Sequence, residues 1–449
     1  MSNYDIAIIG AATSGAFFAR RMAEKGYRVK IVEKNSFEKL GCKYDIFHVA
    51  KKEFDRFGLP KVQQGDKEWA FEFTVNYTSS PTGKFPKKTE DPIVGMHMHE
   101  YTVKMNKWAQ EAGAEIEYDA SFADFIYEDG KIVGFTYITP EGEKEIRAKV
   151  VVDCSGMDSV ARRKLPQDSY VENFEITPED MFYVVLRYVK FADPNLVWDY
   201  STGWPFYKSW LAPQQDPNGG ILGIGACHSY EYAEEILKGV IENIELPEYT
   251  ITHIEKGRTP YTRPPYSFVD DNFVVSGDAA CLTKPNNGEG VTSSMVQIES
   301  AVKVLDEALK EGDTSKEKLW DINVLYNKEQ GADFASTRAM LTKAVKATKG
   351  EFEYFFKHDI IFSEKFLGNA ADGPGIDITL GDIAKIGGGI IAGLVTGKVK
   401  FSTIKYVATG VLLGDKLKKH YLNFPASPVG YKDWAKAADE IWAKVGKMQ

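Results

Sequence analysis

Hydrophobic and polar positions along this 449-residue chain follow two alternating periods. Asp5-Ile6-Ala7-Ile8-Ile9 is a short apolar run with the length of a buried strand. After a turn of small residues, Phe17, Phe18, Met22 and Ala23 recur at helical spacing. Gly26 stops that helix, and Val29-Lys30-Ile31-Val32 forms a second strand. A β-hairpin is predicted from Lys131 to Ile138, through Pro140-Glu141-Gly142, and back along Glu145 to Val152. Another apolar strand, Asn272 to Val275, precedes a helix from about Thr292 to Leu309. From about Thr314 to Phe366 the pattern is helical, with Ala335, Met340, Leu341, Val345 and Phe352 on apolar faces. A last helix, from Lys432 to about Lys447, carries Trp434, Ala438, Ile441, Trp442 and Val445 on one stripe. Strands alternating with helices imply an α/β fold.

The first strand, turn, helix and second strand have a further property. The turn reads Gly10-Ala11-Ala12-Thr13-Ser14-Gly15, and Glu33 ends the second strand 18 residues after Gly15. This is the arrangement of a Rossmann unit that holds the ADP half of a dinucleotide. Gly10 allows the sharp turn and Gly15 the close packing of helix on strand. The N–H groups of Thr13 and Ser14 at the helix start face the pyrophosphate. Glu33 accepts from ribose hydroxyls, with Lys34 beside it. Ala12 stands where the usual pattern has its middle glycine, and its methyl group narrows the approach to the pyrophosphate.

Length and charge narrow the reading. A chain this long requires two or three lobes. Its 43% hydrophobic and 27% charged residues are ordinary for a globular protein. A net charge of −9 argues against nucleic acid as the main partner. Cysteines 42, 154, 227 and 281 have no zinc-type or CxxC spacing and suggest reduced thiols in the cytoplasm. The seven histidines form no metal-ligand pattern, so no metal is expected. No run reaches the ~20 apolar residues that span a bilayer. Ile386 to Gly397 and Val407 to Leu413 are short apolar stretches followed by lysines. They form either a packed helical hairpin, the simpler reading, or a surface that touches membrane peripherally.

Two more segments end apolar strands in small-residue turns. One is Val150-Val151-Val152-Asp153-Cys154-Ser155-Gly156; the other is Phe273-Val274-Val275-Ser276-Gly277-Asp278-Ala279-Ala280. Beyond the latter comes Cys281 to Val291, including Pro285, Gly288, Glu289 and Gly290, which opens into the predicted helix. Asp278 is placed for a ribityl hydroxyl, and the N–H groups opening the helix for negative charge on a flavin ring.

In this order the three segments resemble the FAD-dependent oxidoreductases of the p-hydroxybenzoate hydroxylase fold, and within them the geranylgeranyl reductase family. That family has a GDAAG-x-x-x-P-x-x-GEGI-like stretch, matched by Gly277-Asp278-Ala279-Ala280-Cys281, Pro285 and Gly288-Glu289-Gly290-Val291. It also has an acid, a short loop and a cysteine facing the flavin, matched by Glu33 and Gly41-Cys42-Lys43. Its substrate motif, Y-x-W-x-F-P and then G-x-G, is matched by Lys208-Ser209-Trp210-Leu211-Ala212-Pro213 and Gly223-Ile224-Gly225. The resemblance covers roughly residues 4 to 310. Lys208 replaces the motif tyrosine and Ala212 its phenylalanine. The glycines that follow the cysteine are absent after Cys42. An arginine expected at the start of the helix around Tyr101 to Trp108 is missing, with Met98 and His99 in that region.

The resemblance implies a Rossmann-type FAD domain built from residues 1–75, 95–180 and 265–330. It further implies an antiparallel α+β substrate domain from 76–94 and 181–264. The residue pattern, beyond the reach of the resemblance, gives a helical C-terminal region over 331–449. The resemblance also implies FAD as cofactor and reduction of a carbon–carbon double bond in a hydrophobic, isoprenoid-like substrate. Trp204, Phe206, Lys208, Trp210, Pro213, Gly223 and Gly225 are the expected pocket residues, in a segment dense in aromatic side chains. Cys42 is the expected group beside the flavin ring, and His48 a further proton-donor candidate. A redox pair of Cys42 with Cys281 is conceivable. Without a second Rossmann fingerprint, electrons come from transiently docked NAD(P)H or a ferredoxin-like carrier. Two alternatives stay open. One is a flavin monooxygenase or halogenase, because Trp210 to Pro213 partly matches a W-x-W-x-I-P motif, although Lys208 replaces its first tryptophan. The other is a non-catalytic FAD-binding electron-transfer protein.

Overall fold

The strands sort into two eight-stranded sheets. The molecule was analysed as a computed structural model that describes residues 4–41, 45–344, 346–372 and 379–446. In the first sheet the strand order is Val269–Asp270, Phe273–Val275, Gly142–Asp153, Tyr4–Ile9, Val29–Val32 and Glu115–Glu117. Tyr4–Ile9 pairs parallel with Val29–Val32 on one side and Gly142–Asp153 on the other. Phe273–Val275 pairs parallel with Gly142–Asp153. Such strands are buried on both faces, which explains why they read as unbroken apolar runs. The predicted hairpin is present as Lys131–Thr139 and Gly142–Asp153, with Ser121–Glu128 added at its free edge. Helix Val291–Glu311 buries Met295, Ile298, Ala301, Val302, Leu305 and Ala308 in the same core.

The second sheet runs Tyr249–Pro260, Met181–Phe191, Gly219–Ala226, Ser209–Ala212, Ser201–Trp204, Trp69–Thr78, Lys87–His97 and Ile46–Ala50. Its pairings are antiparallel except the parallel contact of Ser201–Trp204 with Trp69–Thr78. Helix Tyr230–Asn243 covers one face through Ala233, Leu237 and Val240. The aromatic segment is less regular than strand spacing suggests. Ser201–Trp204 and Ser209–Ala212 are separated by a short 3-10 turn, Pro205–Tyr207, and Trp210 does not share the face of Trp198, Tyr200, Trp204, Phe206 and Tyr207. Strand Lys87–His97 ends at His97, and helix Met98–Glu111, which carries His99, begins at once.

The C-terminal region is helical. Phe401–Leu422 crosses Ala332–Ala344 closely, since Gly410 and Gly414 present bare backbone. A Cβ on Gly414 would stand 2.9 Å from the Ser336 carbonyl oxygen. The last helix, Tyr431–Val445, buries the Trp434, Ala438, Ile441 and Val445 stripe that its periodicity predicts. Val345 and Lys447 lie outside the described residues.

Candidate functional site

The three small-residue turns meet at the carboxyl ends of adjacent parallel strands, where α/β sheets hold ligands. Gly10 has φ +101°, and a Cβ there would overlap the Cys154 carbonyl of the second turn. A Cβ on Gly15 would overlap the Gly10 carbonyl. The Ser276 N–H donates to the Asp153 carbonyl at 2.9 Å, which joins the second turn to the third. Gly277, with φ +68°, packs on Ser14, which joins the third to the first. Gly156 has φ +77° and opens a short turn that carries Asp158, whose carboxylate pairs with Lys34 at 2.9 Å.

Glu33 is buried at the end of its strand. One carboxylate oxygen accepts from the Ala11 N–H at 2.8 Å and the other from the Asn35 N–H at 2.9 Å. The acid therefore fixes the glycine turn, and its remaining lone pairs suit hydroxyl donors. Helix Thr13–Ala23 starts at Ala12 without a side-chain cap, so the N–H groups of its first turn are open to an anion. Helix Val291–Glu311 likewise starts at Gly290 without a side-chain cap. A Cβ on Gly290 would stand 3.4 Å from Asp278 Oδ1, so the acid and the helix entry are in contact. A bare turn, a buried acid and two uncapped helix starts form a cradle that fits FAD.

The second sheet brings its own residues to this rim. His48, on Ile46–Ala50, keeps accessible surface on the edge strand of the second sheet. Burial holds its pKa below the ordinary 6.5, and the Glu289 carboxylate offsets only part of that. Lys284 pairs with Glu289 at 2.8 Å, and the Tyr261 hydroxyl donates to the Pro285 carbonyl. Gly288 has φ +76° at the tip of this loop. Cys42 lies outside the described residues. Burial pushes the Cys281 thiol up to about 12, so it is protonated at neutral pH.

The expected pocket residues divide between the two faces. Trp204 and half-buried Phe206 pack with Tyr207, Leu237 and Val240 beneath helix Tyr230–Asn243. Trp210 lies on the opposite face with Val184, Leu186, Phe71 and Phe73. It covers Gly223, where any Cβ would overlap the indole. Pro213 is buried beyond Ala212. The Gly225 N–H donates to the Lys208 carbonyl at 3.1 Å, and a Cβ there would rest against Phe182. Lys208 has φ +51°, and its ammonium lies 5.7 Å from the Phe182 ring.

Three supporting residues escaped the sequence reading. Buried Asn106 donates to the Ala11 carbonyl at 2.7 Å and holds the glycine turn from the side. Arg162 is fully buried, and its Nε donates to the Ala279 carbonyl at 2.8 Å, which ties the second turn to the third. Arg338 is buried on helix Ala332–Ala344 with its guanidinium 5.0 Å from the Tyr261 ring. None stands out in the sequence: Asn106 lies between Lys104 and Lys107, Arg162 precedes Arg163 and Lys164, and Arg338 follows Ser336 and Thr337, so no local signal marks them.

This geometry defines an FAD-dependent oxidoreductase with a second sheet set against the cofactor rim. A family model described as FAD binding domain matches residues 3–205. The chain is 26% identical over 455 residues to the digeranylgeranylglycerophospholipid reductase of Sulfolobus acidocaldarius, covering 99% of this chain and 98% of that one. A geranylgeranyl bacteriochlorophyll reductase-like protein of Thermoplasma acidophilum superposes with TM-score 0.72 and 18% identity, covering 89% of this chain and 100% of the other. A myxobacterial chondrochloren halogenase superposes less well, with TM-score 0.58 and 14% identity over 91% and 97% of the two chains. Sequence and fold together are similar to those of the geranylgeranyl reductase family of FAD-dependent oxidoreductases. Among the described residues no cluster of three or more potential ligands could hold a metal ion, and no helix is long and apolar enough to cross a membrane.

Proposed function

We propose that this protein reduces carbon–carbon double bonds of a hydrophobic, isoprenoid-like substrate. The observation that carries the reading is the match along nearly the whole chain to a protein named for reducing a digeranylgeranyl glycerophospholipid. FAD, when bound, supplies the hydride. Gly10, Ala12, Thr13, Ser14 and Gly15 receive its pyrophosphate, and Glu33 its ribose. Gly277, Asp278 and the loop through Pro285, Gly288, Gly290 and Val291 receive its ribityl and ring end. The apolar face of the second sheet that carries Trp210 would help to exclude water from the bound flavin. His48, which feels the Glu289 carboxylate, is the proton-donor candidate from the second sheet. Cys42 is the thiol that the family resemblance puts forward for a role beside the ring.

The test is anaerobic. The flavin is photoreduced in the purified holoprotein and candidate prenyl alkenes are added. Reoxidation by alkene without oxygen supports reduction. Reoxidation that needs oxygen and ignores alkene supports an oxygenase or halogenase and overturns the proposal. The electron donor is NAD(P)H or a ferredoxin-like carrier, separable by stopped-flow reduction with each.

A lipid substrate also gives the outer face of helix Phe401–Leu422 an occupant. Phe401 is 73% exposed and Leu412 71%, and Leu380–Val395 adds exposed Ile391 and Val395. Residues 379–422 carry seven lysines against two aspartates, within a chain whose net charge is −9. Apolar side chains ringed by lysines suit the surface of an anionic membrane. We propose that this face rests on one.

A further inference from the structure

The helix that leads into the C-terminal region is interrupted by one wide turn. Asp321–Tyr326 and Ala332–Ala344 are joined without a gap by a π-helical turn, Asn327–Gly331. The extra residue of such a turn rotates the faces beyond it by roughly 100° relative to a continuous α-helix. Gly331 lets the Asn327 side chain fold back on the turn, since a Cβ there would stand 2.4 Å from Asn327 Oδ1. Asn327 and Gln330 are both buried. Turns of this kind are rare and recur at functional sites.

Gln330 reaches from this turn to the helix that follows the third small-residue turn. Its Nε2 donates to Ser293 Oγ at 2.8 Å and to the Ser293 carbonyl at 3.3 Å. Ser293 is fully buried in the first turn of helix Val291–Glu311, which starts at Gly290 beside Asp278 and Thr283. One turn further on, Gln297 accepts from Ser276 Oγ at 2.6 Å. The entry of this helix is therefore held by two carboxamides, its own Gln297 on the third turn and Gln330 from the π-turn. Asn323, on the same helical run as Gln330, accepts from the Phe268 N–H at 2.8 Å and donates to Ser267 Oγ at 3.0 Å. One run thus grips both the chain entering the third strand–turn unit and the helix leaving it.

We propose that Gln330 is a positioning residue: through Ser293 it fixes the start of helix Val291–Glu311, whose N–H groups stabilise negative charge on the reduced flavin ring. The proposal rests on the reading that this helix opens toward the ring end of FAD. A helix terminus acts on charge only over its first turn, so a small displacement of that turn changes the stabilisation. Gln330 acts through Ser293 and not on the ring itself. Its loss would leave two buried acceptors on Ser293 without their donor and let the helix entry shift.

The flavin midpoint potential is measured by dye equilibration in the holoprotein, as parent, Gln330→Met, Ser293→Ala, the double variant and Trp320→Phe. Trp320 stands at the start of the same helical run, where its Nε1 donates to the Pro425 carbonyl at 2.7 Å, so Trp320→Phe reports destabilisation alone. In Gln330→Met the preference of the protein for reduced over oxidised FAD should fall about tenfold, which lowers the potential by about 30 mV for a two-electron couple. Oxidised FAD should still bind the apoprotein within about threefold of the parent, because the terminus acts on the charge of the reduced ring. Ser293→Ala should give a smaller drop, since the Ser293 carbonyl stays, and the double variant should match Gln330→Met alone. Trp320→Phe should lower Tm and keep the parental potential. A parental potential in Gln330→Met, whatever its Tm, overturns the proposal. So does an equal drop in Trp320→Phe, or a double variant whose drop is the sum of the two single ones. Where Gln330→Met does not fold, the potential of Ser293→Ala decides, and an unchanged value overturns the proposal. If reduced parent is not reoxidised by any alkene, the reductase reading fails while the potentials still decide the role of Gln330.

Discussion

Gly277 and Ser14 come from segments more than 260 residues apart, yet a Cβ on Gly277 would stand 2.9 Å from Ser14 Oγ. The contact closes the ring of three turns. Gly277→Ala would add a methyl at φ +68°, costing ~1–2 kcal/mol for the left-handed backbone alone, and would push Ser14 off the cradle. We expect the variant to fold with a lower Tm and to purify with little bound flavin. A full complement of FAD by absorbance would show that the turns do not converge on the cofactor.

Glu33 has a double task, and the two can be separated. Glu33→Ala leaves the buried Ala11 N–H without its acceptor, a cost of about 1–3 kcal/mol to the apoprotein. It also removes the acceptor proposed for ribose hydroxyls. FAD titration of the refolded apoprotein should show affinity reduced by about tenfold or more relative to parent. Reduced stability with unchanged FAD affinity would assign the acid to the turn alone.

Cys42→Ser is expected to bind FAD normally and to slow alkene-dependent reoxidation of the reduced flavin. Flavin content and single-turnover rate are the two measurements. Turnover at the parental rate would remove Cys42 from the chemistry.

Asp306 ties helix Val291–Glu311 to the end of the first Rossmann helix. Burial raises its pKa, but the Tyr27 hydroxyl at 2.8 Å and Lys25 and Lys310 at 3.0 Å outweigh that and hold it at about 2, below its ordinary 3.8. A depressed carboxyl stabilises the fold above its ordinary pKa, and that share is lost as pH falls through 3.8 towards 2. Asp306→Asn should cost about 1 kcal/mol at pH 7, allowing for solvent screening. The difference between parent and variant should shrink over that acid window. Urea melts at pH 7, 4 and 2.5 check it, and a gap that stays constant across them would contradict the assignment.

For the membrane face, Phe401→Asp with Leu412→Asp should abolish co-sedimentation with vesicles containing anionic lipid and leave flavin content intact. Binding should weaken with salt, since lysines supply part of it. Vesicle binding retained by the double variant would place any membrane contact elsewhere.

The linear pattern alone determined the parallel sheet, its three turns and the acids that follow them. Each of these is local: a buried strand must be continuously apolar, a turn at positive φ favours glycine, and an acid after the strand needs only the right count of residues. The register of Trp204 against Trp210 was not local. A 3-10 turn at Pro205–Tyr207 put them on opposite faces of the sheet, and no alternation rule foresees that. His48 reaches Glu289 only because Ile46–Ala50 joins the far edge of the second sheet. Arg338 lies 77 residues from Tyr261 in the chain, and its guanidinium meets that ring only once helices and sheet have packed. Sequence spacing specifies what a backbone must do within a few residues. Which side chains share a cavity is settled by packing between elements, where contacts are long-range and the burial of charge must be compensated.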